Sequence, residues 1–396
     1  MKQLLLIYCI SLCSNLLAQS FYDTSIKPGD TQINEYLPIL EGKRVGLIIN
    51  QSSVIGDSSL LDMLINRNIH IQKIFVPEHG FRGKDDAGAL INAGTDSATG
   101  LQVISLYGAH KKPQADDLRD IDIMVYDLQD VGVRFYTYIS TLEYCMQACS
   151  EQHKKFLLLD RPNPNGFYVD GPVLEMENRS FVGRQPIPIV YGMTAGEYAR
   201  MLVGEHWIDS AGILDMEIIK CINYAHNKRY KLPIAPSPNL KDMAAVYAYP
   251  SLCLFEGTAT SVGRGTDLPF RQYGSPALEG HFDYYFVPAS REGAKKPSYE
   301  GTKCFGEVVA YSDSQFYRHV LFHDAEASLC LKWLINSYQE CPDKTNFFND
   351  MFDKLGGSKT LKQQITNGIS EQAIRKSWQE KLDEFKKIRR KYLLYQ

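Results

Sequence analysis

Five short apolar runs recur through the first half of the chain. They are RVGLIIN (44–50), IQKIFVP (71–77), LQVISLYG (101–108), IDIMVYDLQ (121–129) and KFLLLDRP (155–162). Continuous runs of this length, rich in Ile, Val and Leu, fit strands covered on both faces, as in a parallel sheet. Between the first two, SSLLDMLINRN reads as a helix with Leu60, Leu61, Leu64 and Ile65 on its apolar stripe. Between the last two, TLEYCMQACSEQ does the same through Leu142, Cys145, Met146 and Cys149. A repeated strand–helix unit predicts a Rossmann-like α/β sandwich.

The later pattern is less regular. Thr194 followed three residues on by Glu197 predicts a capped helix start. LDMEIIKC (214–221) reads as a further strand, PIAPSPNL (233–240) as a linker or domain boundary, and HFDYYFVPA (281–289) as a strand with one exposed face. Two helices are expected near the end, from about Ala325 to Tyr338 and from about Ser370 to Tyr392. The second carries Ile374, Trp378, Leu382, Phe385, Ile388 and Tyr392 at spacings of three and four.

Composition narrows the picture. The chain has 396 residues, 44% of them hydrophobic and 22% charged, with a net charge of −3. That length suits two domains, and the charge argues against a nucleic-acid partner. Residues 1–19 read as a signal peptide: Lys2, an apolar stretch from Leu4 to Leu17, and the small residue Ala18. No later run is long enough to span a membrane. An exported protein, periplasmic or secreted, is the expectation. Once Cys9 and Cys13 leave with that segment, Cys145, Cys149, Cys221, Cys253, Cys304, Cys330 and Cys341 remain, an odd number without a CxxC pair. No zinc, dinucleotide or nucleoside-triphosphate motif is present, so no metal and no cofactor is expected.

In open α/β sheets ligands bind beyond the carboxyl ends of the strands. The first run ends in Asn50 and Gln51, the second in Glu78 and His79, the third in Tyr107 and Gly108, the fourth in Asp127 and Asp130, and the fifth in Asp160, Arg161 and Asn163. Glu78 sits among Phe75, Val76, Pro77 and Phe81. If these pack round it, the carboxyl group could keep a proton for a leaving oxygen. Alternatively it pairs with His79 or Arg82 and pins a turn. Asp127 or Asp130 would supply the second carboxylate that glycoside hydrolysis usually needs, unless it caps the following helix. Arg134 could pair with either or grip a substrate carboxylate. Tyr136 and Tyr138 could face a sugar or a core. In the second half, the glycine-rich stretch 254–276 places Glu256, Thr258, Arg264, Thr266, Asp267 and Arg271 on one long loop, with Arg264 between two glycines as an anion contact.

The motifs VGLIINQSSV, FVPEHGFRG, VYDLQDVGVRFYTYISTL, LDRPNPNG with DGPVLE, YGMTAGEYA, PSPNL, YPSLCLFEGT and VGRGTDLPF occur in that order. Together they resemble the NamZ-type exo-β-N-acetylmuramidases over roughly residues 40 to 396. The resemblance implies a Rossmann-like N-terminal domain with a mostly parallel sheet, here placed at 20–240. It implies a smaller α+β C-terminal domain, here 241–396, and a cleft between the two. It implies release of terminal β-1,4-linked N-acetylmuramic acid from the non-reducing ends of peptidoglycan fragments, with muropeptides or disaccharides as partners. The glutamate of its PEHG motif is Glu78 in this chain, which favours the catalytic reading of that residue. Asp127 or Asp130 would be the partner acid, and Arg134 and Arg264 would read the lactyl carboxylate of muramic acid. A glycosidase for another N-acetylhexosamine and a non-catalytic sugar or muropeptide binder are the competing readings.

Overall fold

The computed structural model describes residues 21–81, 94–208, 214–317 and 327–395. The predicted leader, Arg82 and Ala325 lie outside these residues. Six parallel strands form the central sheet: β1 (Val45–Ile49), β2 (Ile71–Val76), β3 (Gln102–Ser105), β4 (Ile123–Asp127), β5 (Lys155–Leu159) and β6 (Met216–Ile219). Their spatial order is β3-β2-β1-β4-β5-β6, with the two-residue strand Gly94–Thr95 antiparallel at the β3 edge. This is the doubly wound order of nucleotide-binding sheets. The five predicted runs match β1 to β5, and the predicted strand at 214–221 is β6. A Rossmann-like α/β domain is thus observed.

Both faces of the sheet are covered, which is why its strands read as unbroken apolar runs. Val45, Leu47, Ile49, Ile123 and Val125 face one cluster with α1 (Ile33–Leu40) and α2 (Leu60–Ile65). Ile48, Phe75, Met124, Tyr126 and Phe156 face the other, with Leu142, Cys145, Met146 and Cys149 of α3 (Tyr138–Glu151). In α2, Leu60, Leu61 and Leu64 are buried, but Ile65 is exposed, because the helix ends there after six residues.

Thr194 and Glu197 form the predicted capping box on α4 (Ala195–Gly204). Beyond α5 (Met243–Leu252), a small antiparallel sheet of β7 (Gln272–Ser275), β8 (Tyr284–Phe286) and β9 (Cys304–Val308) anchors the C-terminal part. The expected helix from Ala325 is shorter: α6 covers Lys332–Glu340. The N–H groups before it are committed elsewhere, Leu329 to Asp170 Oδ2, Cys330 to Ser251 Oγ and Leu331 to Glu371 Oε1, and so cannot enter a helical ladder. After the short α7 (Phe352–Gly356), α8 (Glu371–Arg389) buries Ile374, Trp378, Leu382 and Phe385 as expected. The second core cluster continues from the sheet through Val246, Phe255, Trp333, Phe352 and Trp378, so the two parts share one apolar interior. All seven described cysteines are free thiols, six of them buried. No helix of the described residues is long and apolar enough to cross a membrane.

Candidate active site

A cavity of about 660 Å³ lies between the two parts. One wall comes from the carboxyl ends of β2 and β3: Glu78, His79, Tyr107, Gly108 and Lys111. The β4–α3 connection adds Phe135, Tyr136, Thr137 and Tyr138, and a loop adds Ser180, Phe181 and Val182. The opposite wall carries Ser237, Leu240, Tyr249, Cys253, Glu256, Arg264 and Phe270, with Met351, Lys354 and Leu355 around α7. A volume of this size holds a disaccharide-sized ligand.

Glu78 is half-buried in this wall. Pro77 to Gly80 is a tight turn closed by the Gly80 N–H on the Pro77 carbonyl at 3.2 Å. Its third residue, His79, has φ 73°, and Gly80 has φ 74°. The third position of such a turn normally belongs to glycine or asparagine. A buried histidine held there is local backbone strain, of the kind that persists where the surroundings over-determine a functional geometry. The Thr137 hydroxyl donates to Glu78 Oε2 at 2.8 Å. The Tyr107 phenol is hydrogen-bonded to Glu78 as well, and burial first, then that carboxylate, push its pKa above the usual tyrosine value. The acid is therefore aimed by two hydroxyl groups, one from the β3 end and one from the residue that precedes α3.

The neighbouring tyrosines are fixed too. Tyr136 donates to the Pro236 carbonyl at 2.8 Å and meets Tyr138 edge-on at 4.6 Å between ring centres. Asn50 Nδ2 donates to the Tyr138 hydroxyl at 2.7 Å. Gln51 Nε2 donates to the carbonyls of Ala235 and Pro236 at 3.1 and 3.0 Å. Asn50 and Gln51 thus stand behind the wall and hold it, while Tyr136 and Tyr138 form part of it.

Asp127 and Asp130 are not in the cleft wall. Asp127 is fully buried and receives Arg161 Nε at 2.6 Å and Nη2 at 2.9 Å. The same Nη2 reaches Asp30 Oδ2 at 2.6 Å. This closed Asp30–Arg161–Asp127 triad leaves Asp127 and Arg161 engaged with each other rather than with a ligand. Asp130 accepts the Gly132 N–H at 2.6 Å and the Tyr191 hydroxyl, and burial pushes its carboxyl up to about 6. Asn163 caps its own turn through the Asn165 N–H at 2.8 Å and donates to the Met193 carbonyl at 2.8 Å.

Arg134 is likewise a framework residue. Its side chain is completely buried, and it donates to the carbonyls of Pro172 (2.8 Å), Ile187 (2.9 Å) and Leu355 (2.8 Å). It ties the sheet domain to α7. Burial without a carboxylate lowers its guanidinium to about 9. A group with these fixed acceptors and no exposure does not reach a substrate.

On the far wall, Glu256 Oε1 accepts from Arg264 Nε at 2.6 Å, and the Arg264 guanidinium lies 4.9 Å from the centre of the Phe270 ring. Thr258 closes a turn on the Phe255 carbonyl at 2.8 Å, and Asp267 sits 85% exposed beside Arg291. Neither lines the cleft. Lys111, Thr137, Phe181, Tyr249 and Lys354 were not singled out from the sequence. Thr137 is flanked by two tyrosines that were, but nothing local marks it. Among the described residues no group of His, Cys, Asp or Glu has the arrangement of a metal site.

The comparisons with known proteins cover nearly the whole chain. The model for the exo-β-N-acetylmuramidase NamZ N-terminal domain matches residues 45–244, and that for its C-terminal domain matches residues 247–395. The chain belongs to the NamZ family of exo-β-N-acetylmuramidases. It is 37% identical over 383 residues to the peptidoglycan β-N-acetylmuramidase NamZ of Bacillus subtilis, covering 92% of this chain and 90% of that protein. Two crystal structures of DUF1343 family proteins from Bacteroides fragilis share the fold. One is 42% identical with a TM-score of 0.84, the other 29% identical with a TM-score of 0.76; each match covers 94% of this chain and 99% of the other.

Proposed function

We propose that this chain is a glycoside hydrolase that removes terminal N-acetylmuramic acid from the non-reducing ends of peptidoglycan fragments, with Glu78 as the proton-transferring acid. The observation that carries the assignment is Glu78 itself. It stands on a strained turn at a strand end, opens into the interdomain cleft and is aimed by Thr137 and Tyr107. Membership of a family of exo-β-N-acetylmuramidases supports the reaction class.

In the proposed reaction Glu78 gives a proton to the bridging oxygen as the bond from the anomeric carbon to that oxygen breaks. The bonding pair stays with the oxygen, which leaves as an alcohol, and the electron-poor anomeric carbon takes up water. The proton released by that water restores the acid. Aromatic groups at Tyr107, Tyr136, Tyr249 and Phe181 give a sugar ring apolar faces to rest on. Glu256 is the one further carboxylate among the described cleft-lining residues, and Arg264 already holds it. It takes the place that Asp127 or Asp130 was expected to fill. We also propose that the chain acts outside the cytoplasm, as its apolar residues 4–17 support.

The test is incubation with a β-1,4-linked N-acetylmuramyl–N-acetylglucosamine disaccharide, with the released sugar and its first-formed anomer followed by NMR. Free N-acetylmuramic acid is expected. Hydrolysis of glucosaminides in preference would redirect the assignment to another N-acetylhexosamine, and binding without turnover would end it.

A further inference from the structure

We propose that Arg264 is the specificity residue of the cleft, its terminal guanidinium edge binding the lactyl carboxylate that N-acetylmuramic acid carries and N-acetylglucosamine lacks. The inference rests on the muramidase reading above and adds the group that selects the sugar.

Among the described residues three cationic side chains reach the cavity: Lys111, Arg264 and Lys354. Lys354 is exposed on α7, and Lys111 lies 5.3 Å from the centre of the Phe181 ring. Arg264 is set deeper, with 23% of its side chain exposed. Its Nε is taken by Glu256, and its plane is supported by the Phe270 ring. Among the described residues neither of its Nη atoms has a hydrogen-bond partner. One edge of the guanidinium is thus fixed to the protein, and the other is left to the cleft. That second edge is a planar two-pronged donor matched to a carboxylate, which a lysine cannot imitate.

The backbone is built to hold this arginine in one place. Gly263 and Gly265 flank it at φ 76° and 80°. A Cβ on Gly263 would fall 2.7 Å from Gln272 Nε2, and one on Gly265 would fall 2.6 Å from Pro297 Cγ. The supporting residue Phe270 is itself at φ 54°, a strained setting for a side chain of its size. Strain therefore accumulates on both walls of the cleft, at the turn bearing Glu78 and at the loop bearing Arg264. Charge fits as well. Glu256 balances Arg264 in the free cleft, and the negative charge that a lactyl group brings is offset by Lys111 and Lys354 at its margins. Arg134 is not open to this role: both of its Nη atoms are on backbone carbonyls, and the side chain has no exposure.

The experiment compares three aryl β-glycosides: that of N-acetylmuramic acid, its lactyl methyl ester, and that of N-acetylglucosamine. The wild type should prefer the acid to the ester by about 30- to 100-fold in kcat/KM, mostly through KM. In R264Q that preference should collapse to within about threefold: loss of the Glu256 partner lowers activity on both substrates, and loss of the carboxylate contact lowers it further on the acid alone. R264K, which keeps the charge and loses the fork, should retain part of it, and it carries the test should R264Q fail to fold. The acid-to-ester ratio is internal to each preparation, so a partly unfolded sample leaves it unchanged. A wild type without the preference, a preference intact in R264Q, or one lost instead in K111Q or K354Q would each overturn the inference. A wild type inactive on every muramic substrate would instead sink the functional reading beneath it.

Discussion

The carboxyl edge of one sheet meets two fates in this molecule. At the β2 and β3 ends, Glu78 and Tyr107 open into the cleft. At the β4 and β5 ends, Asp127, Asp130, Asp160 and Arg161 are buried and matched. Arg161 sits between two carboxylates, and Asp160 accepts from Thr194 Oγ1 at 2.7 Å, the Gly196 N–H at 2.9 Å and the Tyr395 hydroxyl at 2.6 Å. The difference lies less in the strand-end residues than in what the rest of the chain brings to them. Asp30 arrives from before β1 and Tyr395 from the end of the chain, and together they close one half of the edge. The other half faces the C-terminal part across a gap. Polar residues at a strand end mark a place where chemistry is possible, and the long-range partners decide whether it becomes a site or a clamp.

Substitutions should separate the two halves. E78Q should lower kcat by about 10²- to 10⁴-fold while the thermal midpoint stays within a few degrees of the wild type. D127N should do the reverse. It leaves Arg161 short of a buried charge partner, so stability should fall by about 3–5 kcal/mol in a denaturant titration, with activity per folded molecule changed less than about tenfold. A D127N enzyme that melts normally and has lost its turnover would erase the distinction.

Asp130 sharpens it through pH. Burial raises its pKa in the folded protein to about 6, above the ordinary aspartate value of 3.8. Below both values the two states are equally protonated. As pH rises from 4 towards 6, the unfolded chain releases its proton first, so this group's contribution to stability is lost over that window. D130N should flatten the stability curve between pH 4 and 6.5 by up to about 3 kcal/mol, read by melting at each pH. An unchanged curve would mean that Asp130 ionises freely in the folded protein.

On the open half, T137V removes the hydroxyl that donates to Glu78. It should lower kcat by about 5- to 30-fold with little change in KM, the effect of one hydrogen bond to the charge that Glu78 gains as its proton leaves. At the far end of the scale is Asp267, which is exposed and lines nothing. D267A should move neither kcat nor stability by more than about 0.5 kcal/mol.

The strands and most helices were legible because burial leaves a local signature: unbroken apolar runs for β1 to β5, spacings of three and four for α8, and a cap with its partner at Thr194 and Glu197. Glu78 was legible as a charged residue ending an apolar run, and Glu256 and Arg264 as polar groups on a loop too long to be idle. Asp127, Arg134 and Arg161 looked the same but were misread, because their partners are far away in the chain. All three of Arg134's acceptors are backbone carbonyls, which carry no residue identity to find. Ile65 and the start of α6 failed for a related reason, since the ends of helices depend on where tertiary contacts send the next N–H groups. Lys111, Phe181 and Lys354 reach the cleft through loop and helix placement that no short pattern encodes.

The proton-transfer role of Glu78 is tested most directly by leaving-group dependence. E78A should be measured on the natural disaccharide and on a 2,4-dinitrophenyl β-glycoside of N-acetylmuramic acid, whose leaving group departs without a proton. The account predicts a loss of about 10³-fold or more on the disaccharide and less than about tenfold on the dinitrophenyl glycoside. Equal losses on both substrates would contradict it.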